Sequence, residues 1–157
     1  MDKGRKLEVE RKFLLSKDSI PNLSGLRKCA MEQGYLSLDP EIRIRKTKDA
    51  EQETCFLTIK SEGDLVRDEF EIMISTDLYD RLSDCVSSQL IFKERYFSKL
   101  DYLSLEIDVY QGRHLGLIVA EIEFESETAA KSFLPPAWFG EEVTFNKRYR
   151  NKNLAFE

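Results

Sequence analysis

The sequence predicts one α+β domain, residues 1–157, of about eight mostly antiparallel strands with a few flanking helices. Three observations lead to this prediction. Short segments in which charged and apolar residues alternate recur along the chain, and turn-forming residues separate most of them. Only a few stretches change to the spacing of an amphipathic helix. No repeat, linker or low-complexity segment divides the chain, whose length suits a single core.

The first predicted strand, residues 7–15, has the clearest alternation. Because side chains in a strand alternate with period two, Glu8, Glu10 and Lys12 share one face. The other face holds apolar residues from Leu7 onward, with Arg11 as the one exception. Taken alone, this pattern is typical of a half-buried strand with a solvated charged face, so its meaning depends on repetition.

The remaining elements follow in order along the chain. Further strands are predicted at 27–38, 41–48, 54–60, 66–74, 89–98, 100–110 and 117–125. Asp39-Pro40 and residues 61–64 read as turns between neighbouring strands. A helix is predicted after Ser75 or Thr76, either of which suits an N-cap. Two more helices are expected at 128–134, before a pair of prolines, and at 146–155.

The composition excludes several classes of function. A net charge of -5 leaves no basic excess for binding nucleic acid. We find neither an apolar run of membrane-spanning length nor a signal peptide, and therefore expect a cytoplasmic protein without a membrane partner. The cysteines Cys29, Cys55 and Cys85 lack metal-ligand spacing and are expected to be reduced thiols. The only histidine, His114, reads as a turn residue, which argues against a zinc site and a Ser-His-Asp triad.

The charged positions have two interpretations. If they face water, they form an ordinary mixed surface. If they line a closed barrel, the lumen is costly to leave empty, because buried charges need partners. Such a lumen suits a chain of phosphates with divalent cations. Arg and Lys donate to phosphate oxygens and carboxylates hold Mg2+ or Mn2+. Cations can neutralise developing charge and activate the attacking oxygen in phosphoryl transfer.

These segments resemble, in order, those of the CYTH superfamily, the triphosphate tunnel metalloenzymes. The family signature Glu-x-Glu-x-Lys corresponds to residues 8–12. The later matching segments are RIR (43–45), LTIKSEG (57–63), RDEFE (67–71), KERY (93–96), LEIDVY (105–110), AEIEF (120–124) and the tail EVTFNKRYRNKNLA (142–155). That tail is similar to the ending of the short bacterial members, so the resemblance covers almost the whole chain.

The resemblance implies an eight-stranded antiparallel β-barrel, a tunnel that binds triphosphate and Mg2+ or Mn2+. The implied triphosphate-binding residues are Lys12, Arg43, Arg45, Lys60, Arg67, Lys93 and Arg95. The implied metal ligands are Glu8, Glu10, Glu69, Glu71, Glu106, Asp108, Glu121 and Glu123. The implied catalytic residues are Glu8, Glu10, Lys12, Glu121 and Glu123. For Arg67, Glu106 and Asp108, internal ion pairs that shape the tunnel are the stronger alternative. Lys147 and Tyr149 either line one tunnel mouth or lie on a solvated helix face.

Several functions remain open at this point. The first hypothesis is a metal-dependent hydrolase that cleaves inorganic triphosphate by in-line attack of water, with nucleoside triphosphates as further candidate substrates. The second is a class IV-like adenylate cyclase that makes cyclic AMP and pyrophosphate from ATP. The family's cyclases carry a His-Phe pair near the N-terminus, where this chain has Arg5-Lys6-Leu7. A thiamine triphosphatase is a weaker choice, because Trp138 alone supports it. A non-catalytic polyphosphate or nucleotide binder is the alternative from another class.

A homodimer is expected if the helices leave the apolar exterior of the barrel uncovered.

Overall fold

Eight antiparallel strands close into a barrel in the computed structural model, which describes residues 5–62 and 65–157. The strands are β1 (Arg5–Leu14), β2 (Lys28–Leu38), β3 (Glu41–Lys48), β4 (Glu53–Lys60), β5 (Val66–Ile74), β6 (Ile91–Leu100), β7 (Leu103–Tyr110) and β8 (Ile118–Glu123). Their order around the barrel is β1-β5-β4-β3-β2-β6-β7-β8, and β8 returns to β1. The predicted α+β class and antiparallel barrel are confirmed. The predicted turn at 61–64 lies partly outside the described residues, as does the orientation of the Leu7 side chain.

Two apolar layers cover the outside of the barrel and decide which strand faces turn inward. The first lies over β1, β7 and β8, where Val9, Phe13 and Ile122 are buried beneath α2 (Glu127–Ser132). The second lies over β3 and β4, where Tyr79 of α1 (Thr76–Ser83) is 1% exposed. Burial of these apolar faces is the main driving force for folding, so the alternate, charged faces turn toward the lumen.

Serine N-caps begin both of these helices. The Ser75 hydroxyl accepts a hydrogen bond from the Leu78 amide at 3.1 Å, as predicted. The Ser126 hydroxyl accepts from the Ala129 amide at 3.1 Å in the same way. The second helix ends before Phe133, ahead of the two prolines that cannot continue it.

The barrel wall has a seam beside β1. Residues 5–9 of β1 pair with β5, whereas residues 10–14 pair with β8 on their other side. Residues 140–144, which we call the seam segment, fill the place that β5 leaves open. The Val143 amide donates to the Lys12 carbonyl at 2.8 Å and the Gly140 amide donates to the Leu14 carbonyl at 2.9 Å. A Cβ on Gly140 would lie 2.7 Å from the Leu14 carbonyl oxygen, so this approach requires glycine.

Arg11, the exception on the apolar face of β1, fastens the seam segment to α2. Its Nε and Nη2 donate to both carboxylate oxygens of Glu142, at 2.8 and 2.6 Å. Its Nη1 donates to the carbonyls of Ala130 and Phe133 at 2.9 and 2.8 Å, at the end of α2. Each nitrogen of the guanidinium therefore has a partner, which explains how a charged residue is stable on this face.

The C-terminal residues close one end of the barrel. The predicted single helix at 146–155 is wrong, because Arg150 is extended (φ -74°, ψ 135°) between a 3-10 turn (Lys147–Tyr149) and α3 (Asn151–Leu154). Leu154 and Ala155 pack against Tyr35, Ile91, Tyr110 and Val119, and all six are buried. The four strand residues share the inward faces with the charged positions. We call this cluster the basal plug.

The remaining expectations concern local structure. His114 lies in the 3-10 turn Gly112–His114, as predicted, and its Nε2 is 2.8 Å from the Leu154 carbonyl oxygen. The three cysteines are free thiols. Across residues 5–62 and 65–157, none of the helices combines the length and apolarity that crossing a membrane requires.

Candidate active site

The inward faces of the strands enclose a cavity of about 220 Å³. Most of the charged residues singled out from the sequence line it: Glu8, Glu10, Lys12, Arg43, Arg45, Lys60, Arg67, Glu69, Glu71, Arg95, Glu106, Glu121 and Glu123. The charged faces therefore point into the barrel, and the interpretation of them as a solvated surface is excluded for these positions.

Strand pairing brings acids and bases together on the β1–β8 wall. Lys12 lies opposite Glu121 in the register, and its Nζ is 3.1 Å from Glu121 Oε1. Burial would lower the pKa of Lys12, but Glu121 and Glu10 outweigh burial and raise it. Lys12 is therefore held as a cation that points into the lumen.

A second group of ion pairs joins β1, β4 and β5. Lys60 Nζ lies 2.8 Å from both Glu8 Oε2 and Glu69 Oε2. Arg67 Nη2 lies 3.2 Å from Glu8 Oε2 and from Glu10 Oε1. Two cations thus hold three carboxylates in place on one side of the cavity, with Glu8 shared between them.

Lys93 and Asp108 do not line the cavity but lie deeper in the barrel, on the inward faces of β6 and β7 beside the basal plug. Asp108 is fully buried, accepts from Arg95 Nε at 2.6 Å and Nη2 at 2.7 Å, and also accepts from Lys93. Burial lowers the pKa of Lys93 to about 8 even beside Asp108. Arg95 reaches forward from this pair to Glu106 at 2.5 Å and Glu121 at 3.1 Å. The Asp108 oxygens are therefore occupied by internal ion pairs, the alternative considered for this residue.

Arg43 and Arg45 contribute hydrogen-bond donors without partners. In the described part of the chain, the buried side-chain atoms that lack a hydrogen bond are Nε of Arg43, Nε of Arg45 and Oε1 of Gln33. Arg43 Nη2 donates to the Thr58 hydroxyl at 3.4 Å, and Arg45 Nη2 donates to Glu71 at 3.0 Å. Burial lowers the pKa of Arg45 to about 10. Two buried guanidinium donors without acceptors favour an anion in this part of the lumen.

The carboxylates of the lumen have the chemistry that a hard divalent cation requires. Burial raises the pKa of Glu10, and the neighbouring charges of Glu121 and Glu8 raise it further. A bound cation would relieve this repulsion, so the donor set fits Mg2+ or Mn2+. Within residues 5–62 and 65–157, no three His, Cys, Asp or Glu side chains already form a metal-holding cluster. In the present arrangement several of the carboxylates are paired with Lys and Arg instead.

Sequence reasoning missed several residues that line the cavity: Tyr35, Glu41, Ser104, Arg150, Asn151 and Lys152. Glu41 could have been found, because it lies two residues before Arg43 and therefore on the same strand face. Lys152 was not predictable by spacing, since its position depends on the extended residue before α3. Its Nζ lies 3.4 Å from Glu41 Oε2 at the plugged end. Of the two tail residues considered earlier, Lys147 is exposed, whereas Tyr149 lines a smaller neighbouring cavity.

Comparison with known proteins gives consistent matches over the whole fold. A profile of the CYTH domain matches residues 6–155. The chain is 41% identical over 152 residues to an inorganic triphosphatase of Nitrosomonas europaea, covering 94% of this chain and 96% of that protein. It is 32% identical to an inorganic triphosphatase of Acetivibrio thermocellus, covering 94% and 92%. The crystal structure of the inorganic triphosphatase NE1496 matches with a TM-score of 0.68 and 40% identity, covering 96% of this chain and 95% of that one.

Proposed function

The chain belongs to the CYTH domain family, and from that premise we propose that it hydrolyses inorganic triphosphate with the help of Mg2+ or Mn2+. Nucleoside triphosphates are further substrates in this proposal. The observation that carries the proposal is the pair of buried, unpartnered Nε donors of Arg43 and Arg45 in a charged lumen. The relatives from Nitrosomonas europaea and Acetivibrio thermocellus, both named inorganic triphosphatase, support the same substrate.

Triphosphate would bind by replacing carboxylates as the acceptor for the lumen cations. Lys12, Lys60 and Arg67 now donate to glutamates, and phosphate oxygens accept the same charge-assisted bonds. Arg43 and Arg45 would supply the donors that have no partner. Of the remaining predicted phosphate ligands, Arg95 lines the lumen, whereas Lys93 lies deeper in the barrel, next to Tyr110 of the basal plug, and would act from there.

The carboxylates that line the lumen, among them those that this exchange releases, would hold the cation. These residues are Glu8, Glu10, Glu69, Glu71, Glu106, Glu121 and Glu123. When bound, a divalent cation neutralises charge on the phosphate oxygens during transfer. We assign Asp108 the role of a positioning residue, because its two oxygens hold Arg95 and Lys93.

Hydrolysis then follows as an in-line displacement. The oxygen of a water molecule bonds to a terminal phosphorus, and the bridging P–O bond breaks with its electron pair staying on the leaving pyrophosphate. The products are orthophosphate and pyrophosphate, and the proton lost by the water goes to solvent. The Lys and Arg side chains of the lumen stabilise the negative charge that moves onto the leaving oxygen, because the barrel wall already holds them in orientation.

A product assay tests this proposal. The purified protein is incubated with inorganic triphosphate and, separately, with ATP, each with Mg2+, with Mn2+ and with a chelator. We expect metal-dependent release of phosphate from triphosphate without cyclic AMP from ATP. Cyclic AMP and pyrophosphate from ATP would assign a cyclase instead. Binding without turnover of either compound would assign a binding protein.

The oligomeric state and location stay predictions. Phe70 and Ile72 on the outer face of β5 are 43% and 58% exposed, so a second copy of the chain has an apolar face to cover. Sedimentation at several protein concentrations tests the homodimer.

Trp138 packs edge-on against Phe139 at 4.5 Å between ring centroids, which favours a packing role over recognition of thiamine. The cytoplasmic location is tested by fractionating cells that produce the protein.

A further inference from the structure

A second, smaller cavity lies in the seam of the barrel. Its volume is about 20 Å³, and we call it the seam chamber. Glu10 and Lys12 line it from β1 and Arg67 lines it from β5. The C-terminal part of the chain contributes Val143, Thr144, Tyr149 and Arg150. Glu10 and Lys12 also line the main cavity, so the two spaces share a wall.

The size and lining of the seam chamber suit one water molecule. A cavity needs about 10–15 Å³ of space for the centre of a water molecule, the measure used for the volumes given above, together with two to four polar partners. The chamber meets the first requirement and is too small for a phosphate group. Its lining also provides polar groups that can bond a water: the Glu10 carboxylate, the Lys12 ammonium, the Tyr149 hydroxyl and the guanidinium groups of Arg67 and Arg150.

The shape of the main cavity explains why such a site matters. The basal plug closes one end with packed apolar side chains. Triphosphate and a cation would fill much of the lumen between the plug and the open end, and bulk water would then be excluded from the phosphate nearest the plug. A side entrance through the seam would avoid this obstruction.

We propose that the seam chamber holds the water molecule that triphosphate hydrolysis consumes and delivers it to the lumen between Glu10 and Lys12. The inference rests on the proposed function. The chamber exists because β5 leaves residues 10–14 of β1 unpaired on one side and the seam segment covers that opening.

The Arg11–Glu142 ion pair fixes the orientation of the seam segment. Because Glu142 points outward to Arg11, alternation in the extended segment turns Val143 toward the lumen. The Thr144 hydroxyl donates to Glu142 at 2.7 Å and accepts from the Lys12 amide at 3.0 Å, which holds the segment against β1. Val143 is 1% exposed and belongs to neither the phosphate-binding nor the carboxylate set.

Paired substitutions at Val143 test the proposal. Val143→Ile adds one methylene to the chamber, whereas Val143→Ala enlarges the chamber. The kcat and KM for triphosphate and the urea stability of both variants are compared with the wild type. For Val143→Ile we expect kcat to fall about tenfold, equivalent to about 1.4 kcal/mol in the barrier, with KM unchanged. For Val143→Ala we expect kcat to be unchanged or higher although the protein is less stable.

If Val143 only packs, kcat should fall more in Val143→Ala than in Val143→Ile, because Val143→Ala leaves a cavity in the seam. Unchanged kcat in a folded Val143→Ile variant would overturn the inference and leave the proposed function standing. An inactive wild type would overturn both. A high-resolution crystal structure gives an independent result: we expect an ordered water in the seam chamber of the wild type and none in Val143→Ile. An empty wild-type chamber would contradict the proposal.

Discussion

Removing the charge of Asp108 tests whether the ion pairs of Asp108 with Lys93 and Arg95 support the lumen. Asp108→Asn keeps the shape of the side chain but leaves Lys93 and Arg95, which are 2% and 8% exposed, without their shared carboxylate. Loss of one partner of a buried ion pair costs about 3–5 kcal/mol. Because the pKa of Lys93 is already lowered to about 8, the lysine can release its proton in the variant and limit the loss. We therefore expect the free energy of unfolding to fall by about 3 kcal/mol, the lower end of that range.

The assay is urea unfolding at neutral pH in the presence of a chelator, so that no metal contributes. The matched control is Glu94→Gln on the outer face of β6, the strand that carries Lys93 and Arg95; Glu94 pairs there with Lys28, whose side chain is 52% exposed. The control should cost less than about 1 kcal/mol. A loss below about 1 kcal/mol for Asp108→Asn would refute the reasoning, since a metal ligand without a structural role should not stabilise the metal-free protein.

Three further predictions concern the lumen, the seam and the plug. Steady-state kinetics of Lys12→Ala should show a higher KM for triphosphate, and Glu121→Gln should lose turnover more than binding; a Glu121→Gln variant with the wild-type rate would refute the metal assignment. The hydrogen bond from Arg11 holds the pKa of Glu142 below its usual value. The resulting stabilisation is complete above the unfolded-state pKa of about 4.3 and is lost as pH falls through the lower folded-state pKa. Unfolding of Glu142→Gln between pH 3 and 6 should therefore show a flatter pH dependence, and an unchanged one would contradict this. Leu154→Ala should lower the free energy of unfolding in urea by about 2–5 kcal/mol, because Leu154 is buried in the basal plug; a smaller loss would mean that the plug is loosely packed.

The direction of the strand faces was predictable from the sequence, because period two separates charged from apolar residues without knowledge of the partner strands. The choice between water and lumen for those faces was not predictable from one strand. It follows from what covers the apolar side, and Phe13 is covered by Ala130 from a helix far along the chain.

The seam and the plug depend on long-range contacts that spacing does not reveal. Arg11 reads as an irregularity in an apolar face until its partner Glu142 is found 131 residues away. The tail reads as one helix because its composition suits a helix, but Arg150 is extended and α3 then packs onto the plug. Lys152 therefore entered the lining of the cavity without any signal in the pattern of the strands.

Binding of inorganic triphosphate to the lumen is the most direct test of the central claim. Calorimetric titration would use Glu121→Gln as the slow background, with Mg2+ present, and would compare it with the same background carrying Arg43→Ala and Arg45→Ala. The account predicts saturable binding of one triphosphate per chain in the background and a large loss of affinity without the two arginines. Unchanged affinity in the triple variant would contradict it, because triphosphate would then bind outside the barrel.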